Sequence, residues 1–335
     1  MRLRKRGLLV AGAMAVLLLV ASACSDVSSS SSSAASGSVP DNSGTTIKFS
    51  VSPWQGSAAN VAIAQKLLED KLGYTTDTTD IDEYAQFPAL SNGDLDATLE
   101  VWPSGHAKDY KKYIEAGNGV VDGGLLGVTG QIGWWIPTYL LTDHPELATW
   151  EGIKGNEAMF QSSESGDAGQ LLDGDPSYVT FDQNIADNLG LNLKVVYAGS
   201  EAAELTELKT AYNAQKPILM YFWTPHWAQE KYDLTMVQLP EVTPECEQAA
   251  ADGTDAYACA YPQDDLYKAF NQDLQTKAPA AFAFLSAMSW TNDDQNVVAL
   301  GINDGQDPAA AAQEWIDQNP DVWQPWVDAG LAAQS

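Results

Sequence analysis

Ala97-Thr98-Leu99-Glu100-Val101-Trp102-Pro103-Ser104-Gly105-His106 runs a short β-type segment into an abrupt stop. Proline lacks the N–H donor and fixes φ, so the strand Ala97–Val101 ends at Trp102-Pro103 and the chain turns. An indole and an imidazole, Trp102 and His106, are thereby presented together at a strand's C-terminal end, where open α/β sheets bind ligands. The same pattern returns at Pro217-Ile218-Leu219-Met220-Tyr221-Phe222-Trp223-Thr224-Pro225-His226-Trp227, another apolar strand that ends in tryptophan and proline. Two strand-end tryptophans far apart in the chain predict a pocket built from two parts of the molecule.

Before this stretch, Ile47–Val51 alternates as a strand. Ser57 is a candidate N-cap for a helix to Leu72, with Val61, Ala64, Leu67 and Leu68 on one face and Gly73 as its stop. A strand near 75–81, a short helix near 83–92 and the strand into Trp102 follow, and this β-α-β-α-β order implies a parallel sheet. Beyond it, 107–116 reads as helix and Val128 to Tyr139 as a strand leaving the first lobe. Helices near 180–190 and 201–214, with strands at 193–197 and 218–222, fill a second lobe. The chain then returns, with helices expected at 263–287, 293–302, 307–318 and from 320. The expected architecture is α/β with two lobes, 46–140 plus 237–335 and 141–236, and a ligand cleft between them.

The 335 residues are 45% apolar with a formal net charge of −28, a surface that repels nucleic acid and anionic lipid headgroups. Residues 1–23 read as a signal peptide whose apolar core is too short to span a bilayer. Ala21-Ser22-Ala23-Cys24 is similar to a lipobox, which predicts cleavage before Cys24 and lipidation of its thiol outside the membrane. The Ser-rich segment 24–45 cannot bury a core and reads as a flexible tether. Cys246 and Cys259, in an oxidising compartment, are expected to form one local disulfide.

Catalytic and metal patterns are missing from the sequence. His106, His144 and His226 are scattered, no ligand spacing for a metal occurs, and neither a phosphate loop nor a nucleophile elbow follows a strand. The expectation is a binding protein with no cofactor, no metal and no enzymatic activity. The positive signal is aromatic: of eleven tryptophans, Trp54, Trp102, Trp134 and Trp223 stand at strand ends beside Pro or Gly. Such rings suit a quaternary ammonium, which donates no hydrogen bond and is held by cation–π attraction of about 0.5–2 kcal/mol per ring. A glycan-binding protein or glycosidase is the weaker alternative, since carbohydrate needs polar neighbours and those here are largely Pro, Gly and apolar.

Several segments carry a resemblance. They are Trp102-Pro103 with His106, Gly133-Trp134-Trp135-Ile136-Pro137, Lys216-Pro217 through Trp227, Lys231-Tyr232-Asp233-Leu234, and a tail with Trp315-Ile316 and Trp326-Val327. Through them residues 46–330 resemble the glycine betaine/proline betaine/choline substrate-binding proteins of ABC importers. The resemblance implies a type II periplasmic-binding-protein-like fold. It also implies an extracytoplasmic, lipid-anchored monomer that captures glycine betaine or a related quaternary ammonium solute for a membrane permease, with choline or carnitine as the alternative ligand. It places Trp102, Trp223, Trp54, Tyr178 and, more weakly, Trp134 around the ammonium head. It gives a ligand carboxylate to the Val179 and Thr180 amides and to His106, and leaves His226 structural.

Overall fold

The computed structural model describes residues 39–334. The signal at 1–23, Cys24 and the tether up to residue 38 lie outside them. Nine strands form one sheet: β1 (Asn42–Val51), β2 (Tyr74–Asp80), β3 (Ala97–Val101), β4 (Val120–Pro137), β5 (Gly169–Asp173), β6 (Leu193–Tyr197), β7 (Met220–Thr224), β8 (Leu234–Met236) and β9 (Gln263–Asn271). Their spatial order is β2-β1-β3-β9-β4-β7-β5-β6, with β8 beside β4. The parallel set β2-β1-β3 lies at one end and the parallel set β7-β5-β6 at the other.

The join between the two sets is β4, an 18-residue strand shared by both lobes. Its first part pairs antiparallel with β9, as far as Gln131 opposite Gln263. From Gln131 opposite Thr224 it pairs with β7, and its last residues pair with β8. The register with β9 shifts between Asp122 and Thr129. Gly127 sits in that irregular part at φ 90°, where a Cβ would lie 2.5 Å from the Trp290 carbonyl oxygen. Only glycine fits that close approach.

Three expected element assignments need correction. Residues 263–271 are strand, not helix. Leu266, Ala269 and Phe270 have helical spacing, but pairing on both sides with β3 and β4 outweighs it. The sheet is therefore mixed, because β9 runs antiparallel between parallel neighbours. Lys268 is fully buried in this strand and donates to the carbonyls of Ser286 and Met288. Second, the helix expected at 107–116 starts at Pro103, which occupies the first turn where its missing N–H costs nothing. Third, the last residues assigned to the tether, 42–45, belong to β1, tied down by Asn42 Nδ2 donating to the Leu72 carbonyl at 2.7 Å.

The helix after β1 spans Gln55–Leu72, ends at Gly73 in the left-handed region, and buries Val61, Ala64, Leu67 and Leu68 as its spacing predicts. Ser57 is not its cap: the Ser57 hydroxyl accepts from the Ser52 N–H at 3.0 Å, and Trp54 takes the N-cap position. Helices 279–287, 292–303, 308–318 and 320–332 pack with it on the first lobe. In that core Trp315 stacks on Trp326 and meets Trp290 edge-on. Cys246 and Cys259 are joined in a disulfide with Cα atoms 6.3 Å apart.

Gly130 of β4 fixes where Trp102 can lie, since a Cβ there would fall 2.2 Å from the indole Cζ3. Gly130→Ala is expected to push the ring away and cost about 1–3 kcal/mol of stability by overpacking. Urea unfolding and near-ultraviolet circular dichroism check this; an unchanged midpoint and spectrum would remove Gly130 from that role.

Candidate functional site

Strand ends and one loop bring five rings to a single cavity. Trp102 follows β3 and caps the helix that begins at Pro103. That turn is pinned by Ser104, whose N–H and hydroxyl both donate to Asp264, at 3.1 and 2.6 Å. Burial pushes the Asp264 carboxyl up to about 6, against the opposing pull of the two Ser104 bonds. Trp54 lies between β1 and the first helix. Tyr221 and Trp223 are alternate residues of β7 and so share one face. Tyr178 comes from the loop after β5, with its hydroxyl donating to the Pro53 carbonyl at 3.1 Å.

Trp54, Trp102, Tyr178, Tyr221 and Trp223, together with Glu83, Gly105, Ile132 and Val179, line a space of about 370 Å³ that includes its open mouth. Tyr178 meets Trp54 edge-on at 5.9 Å and Trp223 edge-on at 5.7 Å between ring centroids. Tyr221 stands 6.0 Å from both Tyr178 and Trp223. Each of the five rings is more than nine-tenths buried. Burial, reinforced by nearby carboxylates, pushes the Tyr178 and Tyr221 phenols well above their usual range, so both stay neutral. No lysine or arginine is among the lining residues; Glu83 is the charged one.

Of the expected site residues, Trp54, Trp102, Tyr178, Trp223 and Val179 line this cavity. His106 does not. Its ring is buried behind the wall, with Nδ1 2.9 Å from Asp109 Oδ2 and Nε2 2.9 Å from Glu83 Oε1. Burial opposes its charge, but the bonds to Asp109 and Glu83 outweigh burial and raise its pKa to about 9. The imidazolium therefore donates through both nitrogens to protein carboxylates and has no donor left for a ligand. Trp134 is fully buried and is not among the lining residues, donating to Asp182 Oδ1 at 2.6 Å. Thr180 is not a lining residue either; its hydroxyl reaches Asp173 at 3.4 Å. Even the Val179 amide is engaged, donating to Glu83 Oε2 at 2.9 Å.

Sequence reasoning missed Tyr221 and Glu83. Tyr221 was legible, because a strand places residues i and i+2 on one face and Trp223 was already assigned to the wall. Glu83 had no signal, being one of 45 acidic residues and held in a single 3₁₀ turn. His226 is buried and both its ring nitrogens have protein partners. Its Nδ1 accepts from the Ala228 N–H at 3.0 Å, which leaves Nε2 to donate to Glu201 at 2.8 Å.

Residues 45–318 match the model of the substrate-binding domain of ABC-type glycine betaine transport systems. The chain belongs to this family. Among curated relatives, the trimethylamine N-oxide-binding protein of Pelagibacter ubique is 27% identical over 77% of this chain and 83% of its own. The glycine betaine/proline betaine-binding periplasmic protein of Escherichia coli is 23% identical over 79% of this chain and 84% of its own. Among solved structures, lactococcal OpuAC complexed with glycine betaine superposes with TM-score 0.66 at 21% identity, covering 84% of this chain and 99% of that one. An ABC-transporter choline-binding protein in complex with choline gives TM-score 0.67 at 21% identity, covering 86% and 96%. Family membership and these superpositions identify the fold as the two-lobe type II binding-protein fold, with the cavity between lobes.

The His106 arrangement has a measurable consequence. A folded-state pKa of about 9 against an ordinary value of 6.5 means that protonation favours the fold. The contribution is complete below about pH 6.5, is lost as pH rises through about 9, and is worth roughly 3 kcal/mol at most. The difference in unfolding free energy between wild type and His106→Gln should therefore shrink across that window. A difference that stays constant with pH would show that the imidazole is not held protonated.

Proposed function

We propose that this substrate-binding protein captures a quaternary ammonium solute by enclosing its methylated head between Trp54, Trp102, Tyr178, Tyr221 and Trp223. The carrying observation is that cavity: five neutral aromatic rings, no cationic side chain and one carboxylate among its lining residues. A tetraalkylammonium head offers no hydrogen bond and needs only π faces and negative potential. Trp54 and Trp102 come from the first lobe, and Tyr178, Tyr221 and Trp223 from the second. Ligand held by both sets favours the arrangement in which the lobes meet, to the extent that it binds that arrangement more tightly. The loaded protein then docks on a membrane permease whose ATPase drives import.

For the other end of the ligand, glycine betaine is the family's namesake solute, and its carboxylate would need donors. Glu83 favours a second reading. Its carboxylate occupies the wall, and His106 and the Val179 amide both donate to it rather than to the cavity. A hydroxyl such as that of choline could donate to Glu83, whereas a carboxylate would meet like charge.

Titration calorimetry with tetramethylammonium, choline, glycine betaine, proline betaine and carnitine separates the readings. The proposal expects binding of the bare head, and expects Trp223→Ala to weaken every ligand by about tenfold or more. Choline tighter than glycine betaine, with Glu83→Gln narrowing the gap, supports the hydroxyl reading. No heat from any of these ligands, with thermal melting unmoved at millimolar concentration, would overturn capture altogether. The lipid anchor is a separate proposal from Cys24: Cys24→Ser is expected to move the protein from the membrane fraction to the medium, and its retention on membranes would refute the anchor.

A further inference from the structure

Behind the cavity the indole N–H groups of Trp54 and Trp102 converge on one atom. Both donate to Glu100 Oε1, at 2.7 and 3.0 Å. The other oxygen, Oε2, accepts from Asn60 Nδ2 at 2.6 Å and Gln295 Nε2 at 2.8 Å. Asn60 cannot be turned the other way, because its Oδ1 accepts from the Trp290 indole at 3.0 Å and an indole N–H is donor only. At least three of the groups around Glu100 are thus fixed as donors, leaving little place for a proton on either oxygen. Gly56 closes the space further, since a Cβ there would stand 3.2 Å from Oε2.

We propose that Glu100 is the positioning residue of the cation site, holding the Trp54 and Trp102 rings by their N–H edges and, as an anion, enriching the faces they offer to a quaternary ammonium. The inference rests on the reading of the cavity as a cation cage. Cation–π attraction is electrostatic, and an indole that donates to a carboxylate presents a more negative face than one that donates to water. Pinning by the N–H also stops either ring from rotating out of the wall. Burial raises the Glu100 carboxyl to about 7 while the bonds from Trp54, Trp102, Gln295 and Asn60 pull it down, and a bound cation adds to that pull. Glu100 forms no part of the lining, so it acts through the two rings.

The test compares choline with its uncharged carbon isostere, 3,3-dimethylbutan-1-ol, by tryptophan fluorescence at about pH 8. In Glu100→Gln the affinity for choline is expected to fall about tenfold or more while that for the isostere stays within about twofold. A parallel loss of both ligands would mean that Glu100 only supports the fold, and unchanged choline affinity would equally overturn the proposal. Wild-type protein that binds neither choline nor tetramethylammonium is a different failure, that of the cage itself, and is seen before any variant is made. Should Glu100→Gln not fold, the wild-type protein still decides. With ¹⁵N-labelled tryptophan, assigned through Trp54→Phe and Trp102→Phe, both indole signals should lie downfield of solvent-exposed indoles and titrate with one common midpoint. Glu201 and His226 line the small space on the far side of Glu100, and the ionisable groups that line the cavity are Glu83, Tyr178 and Tyr221. Two signals at the unbonded position, or with clearly separate midpoints, would overturn the assignment.

Discussion

A tryptophan that turns its face to a ligand must still satisfy its N–H, because a buried donor without a partner costs about as much as the ring contributes. Much of the first lobe answers that requirement. Trp54 and Trp102 reach Glu100, Trp290 reaches Asn60 beside it, and Trp315 reaches Asp294 at 3.0 Å. Elsewhere Trp134 reaches Asp182, and Trp227 bridges to Gln55 at 2.9 Å. The richness in tryptophan and part of the richness in buried acids are therefore one fact. Each carboxylate accepts what an indole must donate.

The same accounting explains which sequence expectations held. Strand-end positions beside proline were reliable for Trp54, Trp102 and Trp223, since backbone geometry alone fixes where such side chains emerge. Trp134 has the same kind of neighbours and shares the cavity's face of the sheet, directly opposite Tyr221 in the β4–β7 register. It still forms no part of the lining, being fully buried with its N–H claimed by Asp182. No local pattern announces that partner. His106 failed for the same reason, because its two acceptors, Glu83 and Asp109, lie on either side of it in the chain and only one is at helical spacing. Histidine four residues after tryptophan signals proximity to the site without revealing which way the ring nitrogens face.

Fold class was legible because alternating strands and helices in the first sixty residues of the folded part allow few arrangements. The central antiparallel strand was not. Residues 263–271 contain a buried lysine and two adjacent aspartates at their start, a composition that no propensity scale assigns to the middle of a sheet. Tertiary partners settle it: Asp264 is anchored by Ser104, and Lys268 by two carbonyls from the neighbouring helical segment. Long-range contacts overrode local preference there, and the same contacts hold the turn that carries Trp102.

The continuity of β4 bears on how the two lobes can move. Around Gln131 it exchanges one partner strand for another without a break in its own course. Two bodies joined by loops can swing like a door, with the rotation confined to a few dihedral angles. Bodies that share an unbroken hydrogen-bonded strand behave more like the ends of a torsion bar, and a rotation that keeps those bonds must be spread as twist along the strand. Because Gly130 and Ile132 flank Gln131 and lie against the cage, such twist would be felt first by Trp102 and Trp223.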